Sequence, residues 1–298
     1  MKKILFIVNP ISGDIKKANL PALIDQYLDK SQYQYEIAFT KRAGHASSIA
    51  EKAIVKKMDV IVAVGGDGSI NEIAKVIVNT ELTLGIIPLG SGNALAYHLE
   101  LPVKKIQKAL EIINTGKIIK IDTLSSNKGE VICFAGIGLE AVAARTYRHL
   151  GKRGFLAYTW AAILSIFFTF KPQRVKFIAD GVEREEMVYM FTVYNARFLG
   201  YKVGKVSQVS IVDGLMHVVV IKTFAIWKLL WIAILELIGK IHLAKETEII
   251  EAKTLKIELP KKAHTQLDGD SFITSSNFEL EVNPLSLNVI VPKTLENY

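Results

Sequence analysis

The stretch "VAVGGDGSINEIAKVI", residues 62–77, decides how the chain is read. The apolar run "DVIVAV" (59–64) leads into Gly65-Gly66-Asp67-Gly68, and Ile70, Ile73, Ala74 and Ile77 then recur at helical spacing. Ser69 stands three residues before Glu72, the spacing of a capping box, so a helix is predicted over 70–79. Glycines let backbone N–H groups approach an anion, and a helix N-terminus adds a positive dipole end. The pattern therefore suits phosphate, although a tight turn needing positive φ would use the same residues. Asp67 sits oddly in such a cradle. Two unit charges about 4 Å apart interact by about 1 kcal/mol in water, and by several-fold more near a protein.

Outward from this loop, the first 124 residues alternate two patterns. Short runs at 4–8, 35–39, 59–64, 82–87 and 118–124 read as strands. Helical patterns lie between them at 21–30, 45–57, 70–79 and 102–114. Such alternation predicts a parallel sheet covered on both faces, with ligands beyond the carboxyl ends of its strands. Two further turns follow strands in the same way. One is "NPISG" (9–13). The other is "PLGSGN" (88–93), where Asn93 or Ser91 would cap the helix "ALAYHL". Three such turns at one end of a sheet would surround a single crevice.

After residue 125 strand-like runs predominate, among them "RVKFIA", "VYMFTVY", "TLKIEL" and "LNVIV", with Asp180-Gly181 as a hairpin signal. The expected organisation is an α/β domain over 1–124, with the tail 293–298 packing back on it. A mainly antiparallel, β-sandwich-like domain would occupy 125–292.

The formal net charge is +8, from 37 basic and 29 acidic residues among 298. That favours anionic partners. The basic residues are scattered among acids rather than clustered with aromatics, which argues against nucleic acid. Cys133 is the only cysteine, which excludes an intrachain disulfide and suits a reducing cytosol. The run "ILFIV" is too short for a signal peptide. The Walker pattern, H-E-x-x-H and G-x-S-x-G are absent. "AGIGLEA" has G-x-G-x-x-A spacing, but it sits in the β-rich half and lacks the acidic residue of a dinucleotide fold.

These motifs together resemble the lipid kinases of the diacylglycerol kinase catalytic-domain type, which include sphingosine kinases and bacterial soluble diacylglycerol kinases. Asn9 to Gly13 resembles "NPxSG", Gly65 to Glu72 resembles "GGDGTxNE", and "PLGSGNALAYHLELP" (88–102) resembles "P.GSGN..A..L..P". "TKRAGHASSIA", "AGIGLEA", "VDGLMHVVVIK" and "QLDGDSF" resemble further family segments in order. A "GGDG"-type loop is shared with NAD kinases and phosphofructokinases.

The resemblance implies an N-terminal NAD-kinase/phosphofructokinase-like domain and an ATP site between two domains. Asn9, Thr40, Gly65, Gly66, Asp67, Gly68, Ser69, Ile70, Asn71, Glu72 and Ser91 would line that site. It offers a role for Asp67, beside that of a plain turn residue. A Mg²⁺ ion lying between the carboxylate and the phosphates turns repulsion into attraction. It implies a structural Mg²⁺ at Asp213 with the carbonyls of Ser210 and Leu215, where the residues alone suggest a hairpin tip. It makes Asp270 the base that takes the acceptor's proton, one methylene shorter than the family's Glu. Ser69 replaces Thr, His217 stands where the family often has Asp, and a triple glycine near 195–211 is missing.

Two apolar stretches, 155–170 and 224–241, are too short or too charged to span a bilayer. They read either as core helices or as an acyl-chain pocket or interfacial patch with flanking Lys and Arg. The expectation is thus a cytoplasmic, peripherally membrane-associated enzyme. It would phosphorylate diacylglycerol or a related lipid with ATP and Mg²⁺, without nucleic acid, and a homodimer is one option. The alternatives are an NAD-kinase-like enzyme with a soluble acceptor and a catalytically silent lipid-binding homologue.

Overall fold

A computed structural model describes residues 1–13, 19–150, 160–161, 164–165, 171–198, 206, 208–223, 228, 231–232, 235, 240–259, 262–274 and 277–296. Most of the two apolar stretches lies outside the described residues. The chain forms two compact units, one of Met1–Asp122 with Pro284–Tyr298, the other of Thr123–Asn283.

The first unit is built on parallel strands β1 (Lys2–Val8), β2 (Tyr33–Phe39), β3 (Val60–Gly65) and β4 (Thr83–Pro88), joined by the end of β14 (Phe278–Val291) in the order β2-β1-β3-β4-β14. Helices α1 (Leu20–Tyr27), α2 (His45–Val55), α3 (Asp67–Ile77), α4 (Ala94–His98) and α5 (Ile106–Thr115) connect and follow them. All six residues of β3 are buried, as a strand covered on both faces requires. Ile4, Phe6, Val8, Val60, Val62 and Val64 pack with Leu20 and Ile24 of α1 and Leu110 and Ile113 of α5. In α3, Ile70, Ile73, Ala74 and Ile77 form the buried stripe that their spacing predicts. Each of those isoleucines contributes roughly 1.5–3 kcal/mol by leaving water.

Three expectations change here. Helix α3 opens at Asp67 rather than at residue 70, behind an extended Gly66. The pattern at 102–114 becomes helical only from Ile106. The run "LNVIV" belongs to the first unit, because Asn288 and Val289 pair in parallel with Thr83 and Leu84 of β4. The second unit accordingly ends at Asn283 instead of 292.

The second unit is antiparallel. Its strands are β6 (Phe134–Gly138), β7 (Gln173–Ala179), β8 (Val182–Tyr194), β9 (Met216–Lys222), β10 (Thr247–Ala252), β11 (Thr254–Glu258), β12 (Ala263–Leu267), β13 (Asp270–Thr274) and the start of β14. Strand β5 (Lys117–Ser126) spans the passage from the first unit to the second. Asp180 and Gly181, both at positive φ, make the β7–β8 hairpin that their sequence announces. Strand β8 is long enough to pair with β7 through its first half and with β6 and β9 through its second. Phe177 and Phe191 meet edge-on in the core, 5.0 Å between centroids. Helix α6 (Leu139–His149) follows β6 and packs on β12 and β13. Pairing in the order β13-β12-β6-β8 places the "LDGD" turn at the edge of this sheet.

Candidate active site

In the first unit the three glycine turns meet at the carboxyl ends of β1, β3 and β4. The Leu89 amide donates to the Gly65 carbonyl at 2.7 Å. A Cβ on Gly90 would lie 2.4 Å from the Gly66 Cα, so the second and third turns touch backbone to backbone. Gly13, at φ 64, would put a Cβ 1.8 Å from the Leu89 carbonyl oxygen, so the first turn closes against the third. Asn9 ties the first turn to the second. Its amide Nδ2 donates to Ser69 Oγ at 3.2 Å, and its Oδ1 accepts from the Ile11 N–H at 3.1 Å.

Asp67 has a local task that the sequence conceals. Its Oδ2 accepts the N–H of Asn93, and its Oδ1 that of Ala94, both at 2.6 Å. The carboxylate therefore caps α4, whose own N-cap residue, Asn93, is left-handed and makes no side-chain cap bond. Asn93 is buried and bonds instead to both backbone groups of Gly90, which fixes the shape of the 88–93 turn. The expected cap by Asn93 or Ser91 is thus replaced by one from across the crevice; Ser91 is half-buried in the turn. Burial, and after it the charge of Asp67, push the Tyr97 phenol above its usual range.

The expected capping box does not form either. Ser69 lies inside α3 and meets Asn9, while Glu72 reaches a different helix. Its Oε1 accepts the Gly44 N–H at 2.9 Å and its Oε2 the Ala46 N–H at 3.1 Å. Thr40 is buried at the end of β2, with its N–H on the Val8 carbonyl at 2.9 Å. Ile70 belongs to the core and presents no side chain to a ligand, and Asn71 is buried beside it. At Gly68, by contrast, a Cβ would meet nothing within 4 Å. Asp67 places a carboxylate on this turn, next to Gly68. An open glycine backbone beside such a hard oxygen ligand fits a magnesium–nucleotide complex.

In the second unit the two acids of "LDGD" separate by role. Asp268 and Gly269, at φ 50 and 88, form the β12–β13 turn. Asp268 Oδ1 accepts the N–H of Cys133 at 2.8 Å and of Phe134 at 3.2 Å, and its Oδ2 that of Ile132 at 3.1 Å. It is a clamp between the turn and the start of β6. Asp270 is exposed as the first residue of β13. Asp268→Ala should therefore cost about 2–4 kcal/mol, because three backbone donors lose their acceptor, and urea unfolding would measure it.

Behind this hairpin Glu140, in the first turn of α6, is buried and accepts from Thr192 Oγ1 and from Gln266 Nε2, the latter at 3.2 Å. Sequence reasoning quoted its motif without finding this network. Gly136 is the available signal: a Cβ there would press within 3.1 Å of Thr192 Oγ1 and 3.2 Å of Glu140 Oε2.

At the third acid, Asp213 Oδ1 accepts the Leu215 N–H at 3.0 Å, and Oδ2 lies 3.1 Å from His217 Nε2. Ser210 Oγ accepts the Val212 N–H at 3.3 Å. His217 is 1 % exposed, and Glu251 stands 3.9 Å from its Nδ1. Among the described residues no three His, Cys, Asp or Glu side chains gather as a metal site. The Asp213–His217 pair thus sits at the turn where the resemblance implies a structural Mg²⁺ held by Asp213 and the carbonyls of Ser210 and Leu215.

Two family models match the chain. The diacylglycerol kinase catalytic domain matches residues 3–126, and the YegS C-terminal NAD kinase beta sandwich-like domain matches residues 133–291. A diacylglycerol kinase of Bacillus subtilis (strain 168) is 28% identical over 280 residues, covering 91% of this chain and 90% of that protein. A diacylglycerol kinase of Staphylococcus aureus (strain JH9) is 36% identical over 141 residues, 46% of this chain and 44% of that protein. The fold is that of a solved diacylglycerol kinase from Bacillus anthracis str. Sterne, with a TM-score of 0.73, 20% identity, and coverage of 99% of this chain and 98% of that one.

Proposed function

We propose, from the premise that this chain belongs to the diacylglycerol kinase catalytic-domain family and is a lipid kinase, that it moves the γ-phosphoryl group of ATP to a hydroxyl of diacylglycerol or a close relative. The observation that carries this reading is the convergence of three glycine turns, the second of which carries Asp67 and is joined through it to the third. The Gly65–Asn71 loop would receive the phosphates, with Asn9, Thr40 and Ser91 around it. Asp67 would help hold Mg²⁺, which would supply positive charge to offset that of the phosphates. The chain would contribute an oxygen ligand, Asp67, and a close backbone approach of Gly90 to Gly66, where a Cβ on Gly90 would lie 2.4 Å from the Gly66 Cα.

Asp270 would take the proton of the acceptor hydroxyl. Bond-forming and bond-breaking then balance: the hydroxyl oxygen gains the phosphoryl group, its proton passes to the carboxylate, and ADP leaves. Asp268 is spent on three backbone amides, so the exposed Asp270 is the better base.

A water-insoluble acceptor implies work at a bilayer surface. No helix of the described residues is long and apolar enough to cross a membrane. The net charge of +8 favours an anionic surface. The test offers γ-labelled Mg-ATP with extracted lipids and, in parallel, with NAD. Label in phosphatidic acid is expected. Label in NAD would move the enzyme to the soluble-acceptor class, and no transfer to either would overturn the reading.

A further inference from the structure

We infer that Glu72 is a positioning residue: it holds the N-terminus of α2, and with it the basic turn Thr40–Ala43, in place for the nucleotide, and touches neither phosphate nor metal. This rests on the kinase reading and deepens it.

The geometry is specific. One residue of α3 makes three bonds to the segment 44–47. Its two carboxylate oxygens take the Gly44 and Ala46 amides, and its backbone carbonyl accepts the Ser47 hydroxyl at 3.0 Å. Helix α2 has no cap of its own. Its N-cap residue is Gly44, left-handed at φ 74 and without a side chain to bond. A helix start leaves N–H groups in need of acceptors, and an anion there also meets the positive dipole end. Glu72 supplies both from the neighbouring helix.

The consequence lies just upstream. The turn is held at one end by the Thr40 amide on the Val8 carbonyl, at 2.9 Å. Its other end closes where the Lys41 amide donates to His45 Nδ1 at 3.0 Å, on the first residue of the clamped helix. Between these ends Lys41 and Arg42 are exposed, at the carboxyl end of the strand next to Asn9. Two cations on a turn fixed at that end of the sheet suit a triphosphate. Their aim depends on where α2 begins, and therefore on Glu72.

Both oxygens of Glu72 face N–H donors. Glutamine can accept at only one of its two terminal atoms and would turn an N–H toward the other donor. Aspartate keeps the charge but is a methylene too short to span both amides.

The experiment combines kinetics with hydrogen exchange on the full chain. Glu72→Gln and Glu72→Asp should each raise the KM for Mg-ATP by about five- to tenfold, with kcat changed less than about twofold. The dependence on free Mg²⁺ should stay as in the unchanged protein. Amide exchange over 44–47 should quicken by about tenfold while β3 keeps its protection. Unchanged exchange over 44–47 overturns the clamp. An intact KM overturns its link to the nucleotide. A shifted Mg²⁺ dependence in Glu72→Gln, with Glu72→Asp near normal, makes Glu72 a metal ligand instead. The exchange result stands even where no turnover is found, so failure of the kinase reading is separable from failure of this one.

Discussion

Asp270→Ala is expected to slow phosphoryl transfer by about 10²–10⁴-fold, the usual contribution of a positioned general base. Stability should stay within about 0.5 kcal/mol, since the side chain is exposed at the start of an edge strand. The neighbouring acid provides the contrast. Asp268→Ala should unfold more easily because its carboxylate holds the amides of residues 132–134. Asp270→Glu restores the longer side chain that the resemblance implies, and it should retain at least the starting activity. Radiolabel transfer from ATP to lipid, followed with thermal melting of the same samples, reads both quantities. Near-full turnover in Asp270→Ala would move the base elsewhere and leave Asp270 as an ordinary hairpin residue.

Asp67→Ala is expected to lose at least about 10³-fold in turnover, because phosphoryl transfer relies on electrostatic positioning more than on covalent chemistry. Here a second effect accompanies the first. The Asn93 and Ala94 amides would lose their acceptor, which costs about 1–2 kcal/mol and loosens the 88–93 turn. Chemical denaturation measures that part. Assay well below the melting temperature isolates the chemical loss, since a destabilised but folded enzyme would keep turning over. Persistence of activity alongside lowered stability would reduce Asp67 to a cap for α4.

The local patterns were legible because they depend on short-range physics. Ile70, Ile73, Ala74 and Ile77 carry the α3 stripe in their spacing, and Asp180-Gly181 carries its hairpin in the backbone freedom of those two residues. The convergence of the turns was also foreseeable, since parallel strands bring their carboxyl ends to one edge. What escaped was the choice of partner. Ser69 and Glu72 have the spacing of a local box, yet Glu72 reaches an amide 28 residues away and Ser69 meets Asn9. Asp67 reads as a ligand, and its bonds to α4 exist only once β3 and β4 lie side by side. The run "LNVIV" has no mark of its parallel partner, because burial on both faces removes the alternation that signals a sheet's sidedness. His217 shows alternation and nothing of Asp213 beyond proximity in sequence.

The strand that borders β4 comes from residues 284–291, after the whole of the second unit in the chain. A nascent chain emerging from the ribosome therefore exposes the β4 edge long after β1–β4 have been synthesised, and the inserted unit can mature before its host. Chaperone binding during translation should fall most steeply as this last segment emerges.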